Sequence, residues 1–426
     1  MSMIIVLFAS FIFLLMVGIP VAFCLGISSA LYFVTAGMPP HMMAQRFFAG
    51  LDSFTLLCVP GFILAGNLMN NGGITNRIID FCDKLVGHIR GGLGLANIVA
   101  SMIFAGISGT AVADAASLGG VLIPAMKKQG YEADFSVGVT AASSCIGPII
   151  PPSLPMIIAA TLTGLSVSKM FVAGAIPGIM MGVGMMIVSY MISCKRGHPK
   201  NARRATIREI LVGGKEAVWA LVMTCIIFFG ITAGVVTPTE ASIVAVLYAI
   251  CVGRFIYREL DFTTMARVFR ESAITTASIM VLVGCANVFA YILSKEQIPQ
   301  IIADFMLSIT RDKFLLLLLI NILLLLVGMF METIAALLIL FPVLLNVAVS
   351  VGVDPIHFGI IVVLNLVLGL TTPPVGVCLF VTSSIGKISL YQATKGVMPF
   401  LLVNLLVLAL VTYIPWLSIG LVNWIF

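Results

Sequence analysis

The stretch Gly147-Pro148-Ile149-Ile150-Pro151-Pro152 decides how this chain is read. It lies within Ala133 to Leu162, an apolar segment long enough to cross a bilayer. Proline removes a backbone N–H and clashes with the preceding turn, so helix hydrogen bonds open there. Lipid tolerates such a break only where protein or a watery cavity surrounds it. A second run, Gly369-Leu370-Thr371-Thr372-Pro373-Pro374, breaks a second apolar segment in the same way. A membrane helix broken at mid-depth exposes carbonyls and half-helix ends, which suit a cation and an anion respectively. The pair reads as a transport site.

The two runs belong to a longer repeat at an offset of 222 residues. Gly147, Pro151, Pro152, Gly164, Gly174 and Pro177 map to Gly369, Pro373, Pro374, Gly386, Gly396 and Pro399. Upstream, Met43-Ala44, Phe47 and Gly106 map to Met265-Ala266, Phe269 and Gly328, while Pro20 pairs with Pro238 at 218. So many matches on one diagonal imply duplication, a common plan of secondary transporters. The division is residues 1–194, a basic linker 195–208, and residues 209–426.

Of 426 residues, 61% are hydrophobic and 9% charged. A soluble domain would carry about a quarter charged residues, so this is a polytopic membrane protein. The net charge of +6 lies in short loops rather than on one face, which argues against nucleic acid binding. The nine cysteines show no ligand spacing and read as small apolar residues. Met1 to Val34 is too long an apolar run for a cleaved signal and reads as retained membrane segments.

In order, Met3 to Phe33 is read as two crossings with a turn at Gly18-Ile19-Pro20, and Ala217 to Ile256 as two more divided at Thr237-Pro238-Thr239. Gly37 to Ser53 is a loop or interfacial helix, Phe54 to Met69 a crossing, and Thr75 to Arg90 an amphipathic interfacial helix. Leu93 to Met126 carries Gly106-Ile107-Ser108-Gly109-Thr110-Ala111-Val112-Ala113-Asp114 at its middle, which suits the tip of a re-entrant hairpin. Phe314 to Val347 carries Gly328 to Thr333 on the same register. Met170 to Ile192 closes the first half.

Five crossings per half would make the halves inverted. Placing Lys195 to Arg208 in the cytoplasm puts both termini outside. All but Arg46, Lys169, Lys295, Arg311 and Lys313 of the 23 Lys and Arg residues then face inward, obeying the positive-inside tendency.

Carboxylates at membrane depth are costly and mark function. Asp114 and Glu332 sit at the two proposed tips; Glu240, after Pro238, reads as a helix-capping acid. Ser108, Thr110, Ser143, Ser144, Thr333, Thr371 and Thr372 place hydroxyls at the breaks. With freed carbonyls they suit a loosely held sodium ion, although such hydroxyls also bond back onto their own helices. Asn365 lies one turn before the second break. The four histidines fall in loops or near interfaces, so no metal site other than for sodium is expected, and no nucleotide-binding loop or catalytic triad is visible.

The run Gly106 to Asp114, with Ser143-Ser144, Gly147 to Pro152 and Gly369 to Gly376, resembles the large membrane subunit of tripartite ATP-independent periplasmic (TRAP) transporters. The resemblance covers essentially the whole chain. It implies a sodium-driven permease of the bacterial inner membrane, working with a small four-helix membrane subunit and a periplasmic binding protein. It implies an organic carboxylate as substrate, such as a C4-dicarboxylate, sialic acid or a sugar acid, and no organic cofactor. It further implies an elevator in which Leu93 to Leu162 and Phe314 to Ile385 slide against a scaffold. Sodium is expected near Ser108, Thr110, Ser144 and Gly147, and near Thr333, Gly369, Thr371 and Thr372. Substrate is expected near Asp114, Ser143, Pro151, Pro152, Glu332, Asn365, Pro373 and Pro374.

The resulting expectation is an all-α membrane permease with two inverted repeats, about ten crossings, two re-entrant hairpins and two broken helices. The alternative is a self-sufficient ion-coupled carboxylate transporter needing no binding protein. An intramembrane enzyme would need a nucleophile or metal cluster at membrane depth, and a channel would not need a duplicated occluding site.

Overall fold

The computed structural model describes residues 2–200, 203–310 and 312–426. Arg311, counted above on the outer side, and residues 201–202 of the linker lie outside the described residues. Every regular element among the described residues is helical.

The first half contains α1 (Ser2–Met16), α2 (Val21–Thr35), α3 (Pro40–Leu51), α4 (Cys58–Asn71), α5 (Ile74–Val86), α6 (Gly92–Ser108), α7 (Ala111–Lys128), α8 (Ala133–Ser144), α9 (Leu154–Thr163) and α10 (Val167–Arg196). The second contains α11 (Ile207–Thr232), α12 (Pro238–Cys251), α13 (Phe262–Lys295), α14 (Ile298–Ile309), α15 (Lys313–Gly328), α16 (Thr333–Ser350), α17 (Pro355–Gly369), α18 (Val377–Gly386), α19 (Leu390–Tyr413) and α20 (Trp416–Ile425). Seven helical spans among the described residues are long and apolar enough to cross a membrane; α1, α2 and the halves of both broken helices are shorter.

Local chemistry explains most boundaries. Proline at the first helical position starts α3, α12 and α17, where its missing N–H is no loss. Thr237 and Glu240 form a reciprocal capping box at α12, so Glu240 is the capping acid that its position suggested. Gly197, at φ 71°, ends α10. The basic stretch 195–208 therefore begins inside α10 and ends inside α11. Its His198 lies in the connection after α10, as expected, and is buried there: Nε2 lies 2.5 Å from Glu132 Oε2, Nδ1 lies 3.0 Å from Ser193 Oγ, and the ring packs on Phe135. Arg196 contacts both carboxylate oxygens of Asp134 at 3.1 Å, so the linker is tied to the start of α8.

Two packed groups emerge. Helices α6 to α9 pack with α15 to α19, while α1 to α4 pack with α11 to α13. The first group is held by very close backbone approach. A Cβ at Gly396 would stand 1.9 Å from the Asp134 carbonyl oxygen, and one at Gly138 would stand 2.2 Å from the Gly396 carbonyl carbon. Small residues at such crossings give membrane helices the contact that lipid exclusion cannot drive. In the second group α13 runs unbroken for 34 residues, spanning the register that α3 and α4 occupy separately in the first half.

Gly396→Ala is expected to destabilise the fold by about 1–3 kcal/mol, because overpacking a close contact strains the backbone. Gly120→Ala, where an added Cβ meets nothing within 4 Å, should leave stability unchanged or slightly raised. Thermal melting of both variants in the same detergent checks the contrast; equal midpoints would show that the α8–α19 crossing yields freely.

Candidate functional site

The first hairpin is α6 and α7. Its tip is Gly109-Thr110, with Gly109 at φ 63°. Gly106, read above as part of the tip, is still inside α6, and its missing side chain makes room for Thr224 of α11, 2.2 Å from a would-be Cβ. The break between α8 and α9 lies directly against this tip. The Leu154 N–H donates to the Gly109 carbonyl at 3.4 Å, and a Cβ at Gly109 would stand 2.8 Å from the Pro152 carbonyl oxygen. Ser153 caps α9, accepting from the Met156 N–H at 3.2 Å, while its hydroxyl donates to the Pro148 carbonyl.

The second half repeats the arrangement. The Gly376 N–H donates to the Met329 carbonyl at 3.4 Å, joining the second break to the second tip. Gly369 has no room for any side chain, since its Cβ would stand 2.5 Å from the Gly328 backbone. Thr371 and Thr372 both donate to the Leu368 carbonyl, at 3.0 and 2.8 Å. Glu332 caps α16 by accepting from the N–H groups of Ile334 and Ala335 at 2.9 and 3.2 Å. The two breaks touch each other through the Cys145 thiol, which donates to the Val367 carbonyl at 3.3 Å.

Between the tips lies a cavity of about 420 Å³. Its walls include Ala111, Leu154, Thr333 and Val377, the first residues of α7, α9, α16 and α18. Four helix N-termini therefore converge on one space, each carrying about half a positive charge in its terminal N–H groups. Ser153 and Glu332 cap α9 and α16, whereas α7 and α18 receive no side-chain cap. No Lys or Arg lines the cavity, and Glu332 is its one ionisable lining residue. The arrangement can hold an anion on backbone dipoles without burying a cationic side chain.

The structure separates the residues that the sequence singled out. Thr110, Glu332 and Thr333 line the cavity, whereas Asp114, Ser143 and Asn365 do not. Asp114 is fully buried behind the first tip. Its Oδ1 accepts from the Ser108 hydroxyl, and its Oδ2 has no hydrogen-bond partner. That free oxygen faces the first break, 2.1 Å from where a Cβ on Gly147 would sit. Asp114 thus stands with Ser108 and Gly147, beside the cation ligands expected there. Ser144 lies in the same buried break and donates to the Ala141 carbonyl at 2.8 Å. Ser143 accepts from the Ser101 hydroxyl at 2.9 Å, and Asn365 donates to Asn321 Oδ1 at 2.7 Å; both join neighbouring helices. Pro151 and Pro152 are buried, Pro373 is half-buried and Pro374 exposed, so the two breaks differ in their access to the surface.

The sequence reading missed the third wall of the cavity. Ser278, Ile279 and Leu282 of α13 close it from the opposite packed group. Thr275, Thr276 and Ser278 form a hydroxyl cluster inside an otherwise apolar crossing, which is the signal that could have marked them.

Comparison with known proteins agrees with this architecture. Residues 8–417 match the family model for the tripartite ATP-independent periplasmic transporter, DctM component. The chain is 44% identical to the sialic acid TRAP transporter large permease protein SiaM of Vibrio cholerae, over 94% of each chain. It is 40% identical to the C4-dicarboxylate TRAP transporter large permease protein DctM of Pseudomonas aeruginosa, over 90% of each. The crystal structure of the Alcanivorax borkumensis YdaH transporter shares the fold at a TM-score of 0.62 and 16% identity, covering 89% of this chain and 88% of that one. The chain is therefore a multi-pass membrane permease rather than an enzyme, and it belongs to the DctM family of TRAP transporter large permeases.

Proposed function

We propose that this permease imports an organic carboxylate across the bacterial inner membrane, coupled to sodium entry, after a periplasmic binding protein delivers the substrate. The observation that carries the reading is the convergence of four helix N-termini on a cavity with no cationic side chain. A carboxylate fits that field, and it leaves again more readily than from a buried arginine pair. Relatives named for sialic acid and for C4-dicarboxylates support the carboxylate class.

Sodium occupies the first break in this reading, held by Asp114 Oδ2 with oxygens of Ser108, Ser144 and Gly147. A buried carboxylate oxygen without a partner is costly, and a cation removes that cost. A second site uses Thr333, Thr371, Thr372 and Gly369; Thr333 Oγ1 is likewise buried and without a partner. Cation sits on one side of the cavity wall and anion on the other, so each ion stabilises its neighbour's binding.

Two inverted repeats form the permease in this proposal, with both termini periplasmic. The group containing both hairpins moves as an elevator against the group containing α4, α11 and α13. Their contact combines close backbone approach with side-chain hydrogen bonds. Gly66 of α4 lies against the Ile107 carbonyl, Asn70 donates to Ser117 Oγ at 2.7 Å, and Thr224 donates to the Gly106 carbonyl at 3.4 Å. A small four-helix membrane subunit completes the assembly.

Uptake into proteoliposomes holding this chain and its small subunit is expected to require both an inward sodium gradient and the binding protein. Uptake without the binding protein would favour a self-sufficient transporter, and uptake following a proton gradient would remove sodium from the mechanism. Asp114→Asn should raise the sodium concentration for half-maximal uptake by about tenfold, the equivalent of about 1.4 kcal/mol, with the protein still present in the membrane. Unchanged sodium dependence would sink the first site. Thr110→Asp should cap α7 and place a negative charge in the cavity, lowering carboxylate affinity by about tenfold or more, whereas Thr110→Asn caps without charge and should lose less. Equal effects of the two substitutions would mean that the helix dipole does not hold the substrate.

A further inference from the structure

A second cavity, of about 640 Å³, lies away from the transport site. It is bounded by one face of the amphipathic helix α5, by α11, and by the turn after α12 that carries Tyr257 and Glu259. Helix α5 buries Ile74, Ile78 and Cys82 and turns Asn76 and Asp80 outward, which places it at the boundary between lipid and water. Trp219 and Tyr257 in the wall are the residue types that gather at headgroup depth. Val212, Trp219 and Ile256 in the lining are exposed apolar side chains, a surface that acyl chains can cover.

We propose that this cavity binds a zwitterionic phospholipid whose headgroup carries a primary ammonium. Charge decides the class. The lining holds two cations, Arg77 and Lys215, and three carboxylates, Asp80, Glu216 and Glu259. Arg77 pairs with Glu259 and Asp80 with Lys84, which leaves Lys215 and Glu216, one charge of each sign, so a net anion such as a phosphatidylglycerol headgroup would leave Glu216 unmatched. A headgroup with its own cation matches the set.

Several of these groups are already held in place. Arg77 pairs with Glu259 at 2.7 Å, donates to the Gly73 carbonyl at 2.7 Å, and stacks on the Tyr257 ring at 4.0 Å. Asp80 pairs with Lys84. Tyr257 donates its hydroxyl to the Glu216 carbonyl at 2.5 Å, fixing the turn against α11. Lys215 and Glu216 form no ion pair among the described residues, and both side chains are exposed at the cavity. Lys215 with Arg77 receives the phosphate; Glu216 receives the ammonium. A quaternary ammonium has no N–H to donate and loses that contact.

Native mass spectrometry of the full-length permease titrated with phosphatidylethanolamine, phosphatidylcholine and phosphatidylglycerol of matched acyl chains tests the proposal. Phosphatidylethanolamine should be retained about threefold or more over the other two. Glu216→Gln should bring it down to the phosphatidylcholine level, and Lys215→Gln should weaken both. As a check that needs no charge variant, phosphatidylethanolamine brominated near the headgroup should quench tryptophan fluorescence in the wild-type chain but less so in Trp219→Phe. Equal retention of the three lipids, a preference for phosphatidylglycerol, quenching independent of Trp219, or displacement of the lipid by the small membrane subunit would each overturn the assignment.

Discussion

A helix interrupted at membrane depth must find partners for its open backbone groups inside the protein, because lipid offers none. Here each interruption is met by the tip of a hairpin. Leu154 gives its N–H to Gly109, and Gly376 gives its N–H to Met329. The breaks and the tips are each unsatisfied alone and satisfied together. This mutual need fixes where the hairpins stop, why the contacts are glycines, and where the four helix N-termini point. Gly109, Gly369 and Gly328 are at these contacts because any side chain there would displace backbone.

The consequence is a site made largely of backbone. Four N-termini surround the cavity, and the lining side chains are mostly apolar or hydroxylic. Its lining residues include no Lys or Arg, so no buried ion pair stands in its wall. The buried oxygens of Asp114 and Thr333 add local demand for positive charge close by. Anion-attracting helix ends and partnerless buried oxygens thus sit within the same pair of breaks.

The same logic of close packing governs how the helices cross elsewhere. Within the hairpin group, α8 and α19 approach so closely at Gly138 and Gly396 that a methyl group would collide with backbone. Between the two groups the approach is close as well: a Cβ at Gly66 would stand 2.9 Å from the Ile107 carbonyl oxygen, and one at Gly106 would stand 2.2 Å from Thr224. Elsewhere the chain is knotted at its water-facing ends, as where His198, Glu132 and Ser193 bind the linker to α8.

The sequence by itself determined the membrane class, the positions of both breaks, both hairpins and the family, because these rest on local chemistry. Proline and glycine interrupt a helix wherever they stand, and 61% apolar composition leaves no soluble alternative. Thr237-Pro238-Thr239-Glu240 was legible as a helix start for the same reason. Only the tertiary structure decided which polar groups share a site. Asp114 and Glu332 look equivalent at two tips, yet one is buried against Gly147 and the other caps α16 beside the cavity. Ser143 and Asn365 sit close to the breaks in sequence but point to neighbouring helices. Ser278 lies fifty residues or more from either hairpin's tip and still forms a wall. Which face of a helix meets which neighbour depends on packing across the whole chain, and that information is not local.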